Sequence, residues 1–177
     1  MKFKKHDMFV MPMLEFEIPD WHNVKQELLL AIESSKWLVS PEGMISDFHT
    51  EDGSPPYLDR LVEIVTPMKE AVEGEIGKKF KAAQAWYQTT SEGTSHNIHN
   101  HGGCGVSQVI FLDFNPEIHY ATRFVSNNLM PFSYLTQEYK PKLKEGDTIF
   151  FPSHVNHYQP GNASEVPRTI LALNWTI

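Results

Sequence analysis

The sequence predicts an α+β fold: helices first, then short antiparallel strands forming a sandwich or barrel, with the helices packed outside one sheet. Three observations carry this. Two stretches of helical periodicity lie before residue 82. After it, short segments rich in Val, Ile, Phe, Tyr, Trp and Thr follow one another. Turn residues punctuate them at Glu92-Gly93, Gly102-Gly103, Asn115-Pro116, Glu145-Gly146-Asp147 and Gly161-Asn162. The 177 residues suit one domain, with 1–82 as helical support and 83–177 as the β core.

Taken in order, Asp20 is a plausible N-cap for a helix over 21–36. Trp21, Val24, Leu28 and Ile32 form its apolar stripe. Residues 40–56 carry Gly, Pro, Asp and Ser and read as a loop. Leu58, Leu61, Val62 and Val65 begin a second stripe, and Met68, Val72, Ile76 and Phe80 continue it past Pro67, a residue that breaks or kinks helices. Strands are expected at 83–89, 98–100, 106–114, 121–126, 148–151 and 169–176. Residues 127–144 suit a loop, packed on the barrel or forming an aromatic lid with Met130, Phe132, Tyr134 and Tyr139.

Composition narrows the function. Apolar residues make up 41% and aromatics 12%, which disfavours disorder. A net charge of −7 gives no electrostatic support for nucleic-acid binding. No apolar run is long enough to span a membrane. The opening residues lack a signal peptide's apolar stretch, and a lone Cys104 excludes an intramolecular disulfide. Both lead to the expectation of a cytoplasmic protein. Asn162-Ala163-Ser164 then reads as a chance match to a glycosylation acceptor. Met and Phe among the first 16 residues suit an edge strand or a homodimer contact.

The nine histidines are unevenly placed. His96, His99, His101 and His119 cluster, His154 and His157 form a later pair, and His6, His22 and His49 are scattered. On a strand, His99 and His101 point to the same face and can share a metal. Alone, an HxH pair is as readily two hydrogen-bonded histidines. The later unit, Gly146-Asp147 then an apolar strand, Phe151-Pro152 and His157, raises its weight. His157 is preferred to His154 as third ligand because it lies further past Pro152. Arg168 opens the last apolar strand, where a buried arginine needs an anion. Taken alone, a salt bridge to Asp147 or Glu165 would satisfy it.

These residues resemble a known family. From Trp86 to the end, the chain is similar to the double-stranded β-helix (jelly-roll, cupin-like barrel) of Fe(II)/2-oxoglutarate-dependent oxygenases, most of all the prolyl-hydroxylase-like group of bacterial and phage genomes. The resemblance rests on Trp86-Tyr87, Gly93 leading to His96 through His101, Ser107 with its strand, Gly146 to Ser153 with His157, and Arg168 with its strand to Trp175.

The resemblance implies Fe(II) held by His99, His101 and His157, with 2-oxoglutarate paired to Arg168 and O₂ as oxidant. Decarboxylation to succinate and CO₂ would then be coupled to hydroxylation of a C–H bond in a small molecule or peptide. From strand position, Tyr87 and Gln108 are expected to line the co-substrate pocket. Two departures stand out. His101 occupies the place of the family's carboxylate ligand, and Ile170 that of a Ser or Thr two residues past the arginine. Asp113 and Glu117 rank behind His101 as the third donor. Two readings compete with the oxygenase: a three-His cupin-type metalloenzyme without 2-oxoglutarate, and a non-catalytic β-barrel binding module.

Overall fold

The computed structural model describes residues 11–48, 55–103, 105–129 and 134–177. His6, His49, Cys104, Met130 and Phe132 lie outside the described residues.

Helix α1 spans Trp21–Glu33 and buries Leu28. It stops short of residue 36 because Ser34 Oγ and the Ser35 N–H donate to the carbonyls of Ala31 and Ile32. Asp20 stands at the N-cap position, but its carboxylate accepts from Asn23 Nδ2 at 2.9 Å instead of capping the backbone. Helix α2, Leu58–Ile76, runs unbroken through Pro67. An interior proline costs roughly 3 kcal/mol. Leu61, Val65, Met68 and Val72 are buried on both sides of it, at roughly 1.5–3 kcal/mol each, so packing outweighs the lost hydrogen bond. The helix ends at Gly77 with φ 66°, the left-handed termination glycine favours. Among the described residues no helix is long and apolar enough to cross a membrane.

The strands are β1 (Leu14–Glu17), β2 (Leu38–Val39), β3 (Ile45–Ser46), β4 (Lys81–Thr90), β5 (His96–His99), β6 (Val106–Asp113), β7 (Arg123–Leu129), β8 (Thr136–Tyr139), β9 (Asp147–Pro152), β10 (Asn156–Gln159) and β11 (Arg168–Thr176). They form a seven-stranded sheet, β1-β9-β6-β11-β4-β3-β2, and a four-stranded sheet, β5-β10-β7-β8. The pairings given by register are antiparallel.

Strand alternation makes two cores. Tyr87, Ile110, Phe150, Leu171 and Trp175 face the helices and pack with Leu61 and Val65. Trp86, Val109, Phe111, Ile149 and Ile170 face the other way and pack with Phe124 of the small sheet. The seven-stranded sheet is thus covered by helices on one face and by the small sheet on the other. This is the double-stranded β-helix with helices outside one sheet.

Gly105 holds the junction between β5 and β6. Its φ is 145°, and a Cβ there would lie 2.3 Å from the Trp175 carbonyl oxygen. Its own carbonyl accepts from the Ser153 N–H at 3.1 Å. We expect Gly105→Ala to destabilise the fold by more than about 2 kcal/mol, read as a large fall in melting temperature. A wild-type melt would show that the junction relaxes freely.

Candidate metal and anion site

Strand β5 ends at His99, which faces His157 on β10 as a register partner. His101 follows just past the strand, so the HxH pair is split between a strand end and a loop. The His101 N–H donates to the Ser153 carbonyl at 2.8 Å and fixes that loop against the end of β9. The result is convergence: one ring nitrogen from each of His99, His101 and His157 lies within 4.8 Å of the other two. Nε2 of His101 is 3.2 Å from Nε2 of His157. Nδ1 of His99 bonds the Asn97 carbonyl at 2.7 Å, and Nδ1 of His157 bonds that of Val155 at 2.9 Å. Those contacts place the proton on Nδ1 and leave Nε2 of both rings as lone-pair donors.

Electrostatics suit metal binding. Burial pushes His157 down to about 3 and His101 down to about 4, with neighbouring imidazoles adding to the depression. Both are neutral at pH 7, as ligands must be. His96 stacks on His99 with ring centroids 4.0 Å apart and is also pushed down to about 4 by burial.

A pH dependence follows. The ordinary histidine value is 6.5, so below it the unfolded chain takes up protons that the metal-free folded state refuses. Stability is full above pH 6.5 and is lost towards the folded values, at up to ~1.4 kcal/mol per pH unit for each histidine. The melting temperature of metal-free protein should fall steadily between pH 7 and pH 5. A flat profile would show that these rings protonate freely in the folded state.

Arg168 stands at the start of β11 and is 1% exposed. Its Nε, Nη1 and Nη2 are buried without a hydrogen-bond partner among the described residues. The guanidinium lies over the rings of Phe111 and Phe114, 5.5 and 5.7 Å from their centroids. Burial pushes its pKa down to about 9, so it remains a cation at pH 7. Asp147 is bonded to Lys144 instead, and Glu165 is exposed. A buried cation with no partner among the described residues calls for an anion. Arg168 and the three histidines line one cavity, together with Trp86, Gln88, Thr122 and Gln159.

Other residues fall elsewhere. Tyr87 is a correction: it lies on the opposite face of β4, in the helix-side core, while its neighbours Trp86 and Gln88 line the cavity. Gln108 does line the cavity, as expected. Its amide is engaged with Thr148 Oγ1 at 2.9 Å and Trp175 Nε1 at 3.1 Å. Asp113 pairs with Lys25 at 3.0 Å, and Glu117 is exposed. His154 is exposed and outside the cluster, and His119 is buried against the Asn115 N–H and the Val166 carbonyl. Within 127–144, β8 pairs with β7 where a loop was expected, and Tyr134 and Tyr139 are exposed outside the cavity lining. Sequence reasoning missed Asn174, whose amide reaches His101 Nδ1 at 3.2 Å.

The donor set fits the iron and 2-oxoglutarate that the resemblance implies: three convergent imidazoles and a buried guanidinium line one cavity. The family model described as "Putative 2OG-Fe(II) oxygenase" matches residues 84–174, from β4 to β11. No curated protein matches the chain. Among solved structures, the non-heme alpha ketoglutarate dependent epimerase SnoN from nogalamycin biosynthesis is similar, at TM-score 0.73 and 14% identity, over 93% of this chain and 77% of that one. HygX from Streptomyces hygroscopicus, with nickel and 2-oxoglutarate bound, gives a TM-score of 0.69 at 10% identity, over 94% and 83%. A Pseudomonas putida prolyl-4-hydroxylase gives 0.65 at 13% identity, over 93% and 91%. The family match covers just over half of the chain, and with the fold and the site it makes this protein a member of the 2OG-Fe(II) oxygenase family, oxidoreductases that use Fe(II), 2-oxoglutarate and O₂.

Proposed function

We propose that this oxygenase hydroxylates a C–H bond of a small molecule or peptide, with iron held by His99, His101 and His157 and the distal carboxylate of 2-oxoglutarate paired to Arg168. The observation that carries the reading is the bare Arg168 guanidinium sharing a cavity with three convergent imidazoles.

Bound iron would supply the oxidising chemistry, driven by decarboxylation of the co-substrate. The chain's own residues do the rest. His99 and His157 present Nε2 because backbone carbonyls hold their Nδ1 protons. Arg168 orients a carboxylate through up to three donor nitrogens, and the Phe111 and Phe114 faces keep water from competing with it. Val109, Ile170 and Ala172 give the same cavity apolar wall. They favour a co-substrate with a short hydrocarbon spacer and help exclude water. Ile170 offers no hydroxyl, so Arg168 carries more of the carboxylate recognition than an arginine backed by a serine would.

The test is spectroscopic. Fe(II) and then 2-oxoglutarate are added to metal-free protein without O₂. The expected result is a new visible iron-to-2-oxoglutarate charge-transfer band that is absent in Arg168→Ala. With O₂ admitted, wild-type protein should release succinate. Iron binding without the band would overturn the assignment of Arg168 and of the co-substrate site.

A further inference from the structure

The third imidazole is held differently from the other two, and the difference points to a residue with a defined task. His157 keeps its proton on Nδ1, so its Nε2 accepts. The 3.2 Å contact between the two Nε2 atoms then requires His101 to donate from Nε2. Nδ1 of His101 is left as an acceptor, and Asn174 Nδ2 donates to it at 3.2 Å. Behind the amide, Ser107 Oγ donates to Asn174 Oδ1 at 3.0 Å and lies 3.1 Å from Ser153 Oγ. Each member is satisfied, but the proton on His101 occupies the atom that a metal needs.

We propose that Asn174 is the positioning residue for His101, turning its side-chain amide by half a turn when metal binds. This rests on the three-His reading above. In the turned state Oδ1 accepts from His101 Nδ1–H, and Nδ2 donates to Ser107 Oγ. Ser107 Oγ–H then donates to Ser153 Oγ, reversing the hydroxyl chain. One proton leaves Nε2 for solvent and one reaches Nδ1 from it, so the ring stays neutral. Both states use the same heavy-atom positions and keep His101 Nδ1, the Asn174 amide and Ser107 Oγ hydrogen-bonded. Asn174 gives His101 the Nδ1 acceptor that backbone carbonyls give His99 and His157.

Nitrogen-15 NMR of the histidine rings tests this without turnover. Wild-type His101 should carry its proton on Nε2 in metal-free protein and on Nδ1 after loading with Zn(II). Two variants, titrated with Co(II) and followed by its visible absorption, should move in opposite directions. Asn174→Leu removes the acceptor, and affinity should fall about 10- to 100-fold. Asn174→Asp is the same size and can only accept, so affinity should rise. A proton already on Nδ1 without metal, or both variants shifting alike, would overturn the proposal. His101→Ala is the control: wild-type Co(II) affinity there would overturn the three-His reading itself.

Discussion

Arg168→Met should stabilise the ligand-free protein and abolish its response to 2-oxoglutarate. The guanidinium is buried, and none of its three nitrogens has a hydrogen-bond partner among the described residues. Its folded pKa lies below the ordinary arginine value because of burial. The unfolded chain therefore holds the proton more tightly, and the penalty is complete at every pH below about 9. An unpaired charge in such a site costs several kcal/mol, of which the Phe111 and Phe114 faces return about 0.5–2 kcal/mol. Methionine keeps most of the length and packs against the same rings without the charge. For a chain of this size 1 kcal/mol is about 2–4 °C, so a rise of several degrees is expected. Wild-type protein should instead gain stability from 2-oxoglutarate, about 2.7 kcal/mol at a hundredfold excess over Kd. Thermal melts with and without 2-oxoglutarate, both with metal present, read the two effects together. A variant that still melts higher with 2-oxoglutarate would remove Arg168 from the co-substrate site.

The same residue shows what the sequence carries and what it hides. An arginine at the head of an apolar strand is visible as an anomaly, but whether a chain carboxylate answers it depends on a register many residues away. Asp147 was the natural candidate and is held by Lys144 instead. The β core was legible because β4, β6, β9 and β11 are long, apolar and bounded by turn residues. The short strands were not. β8 and β10 have four residues each, too few for period-two alternation to stand out, and sheet pairing fixes them, whereas β1 is an edge strand of the kind the Met and Phe before residue 17 suit. Tyr87 was misplaced by one residue of parity, which moves a side chain to the opposite face. Counting two residues on from Trp86 as a cavity residue would have chosen Gln88. Pro67 misled in the other direction, since its cost is local and the stripe that outweighs it is buried only in the tertiary fold. Asn174 carried no signal, because its partner His101 is distant in the chain.

His157→Ala should lower iron affinity by roughly 100-fold or more and end turnover, while His154→Ala changes neither. His157 is 5% exposed, and its Nδ1 proton is held by the Val155 carbonyl, so the ring has one orientation and one free lone pair. Phe124 and Phe151 pack against the ring and hold it in that orientation. His154 is exposed and its loss removes nothing from the cluster. His101 answers a different question. Three imidazoles leave a ferrous site at about +2, whereas two with a carboxylate leave about +1. His101→Asp should therefore still bind iron, since a carboxylate is an equally good donor, but hold the 2-oxoglutarate dianion less tightly than wild type. Iron is quantified after desalting, and 2-oxoglutarate binding is followed by the charge-transfer band. If His101→Asp binds 2-oxoglutarate more tightly, the extra positive charge of the three-His set contributes nothing to co-substrate capture. If His157→Ala retains iron at wild-type stoichiometry, the third donor is another residue. His96, stacked on His99 in the same cavity, would be the first to replace.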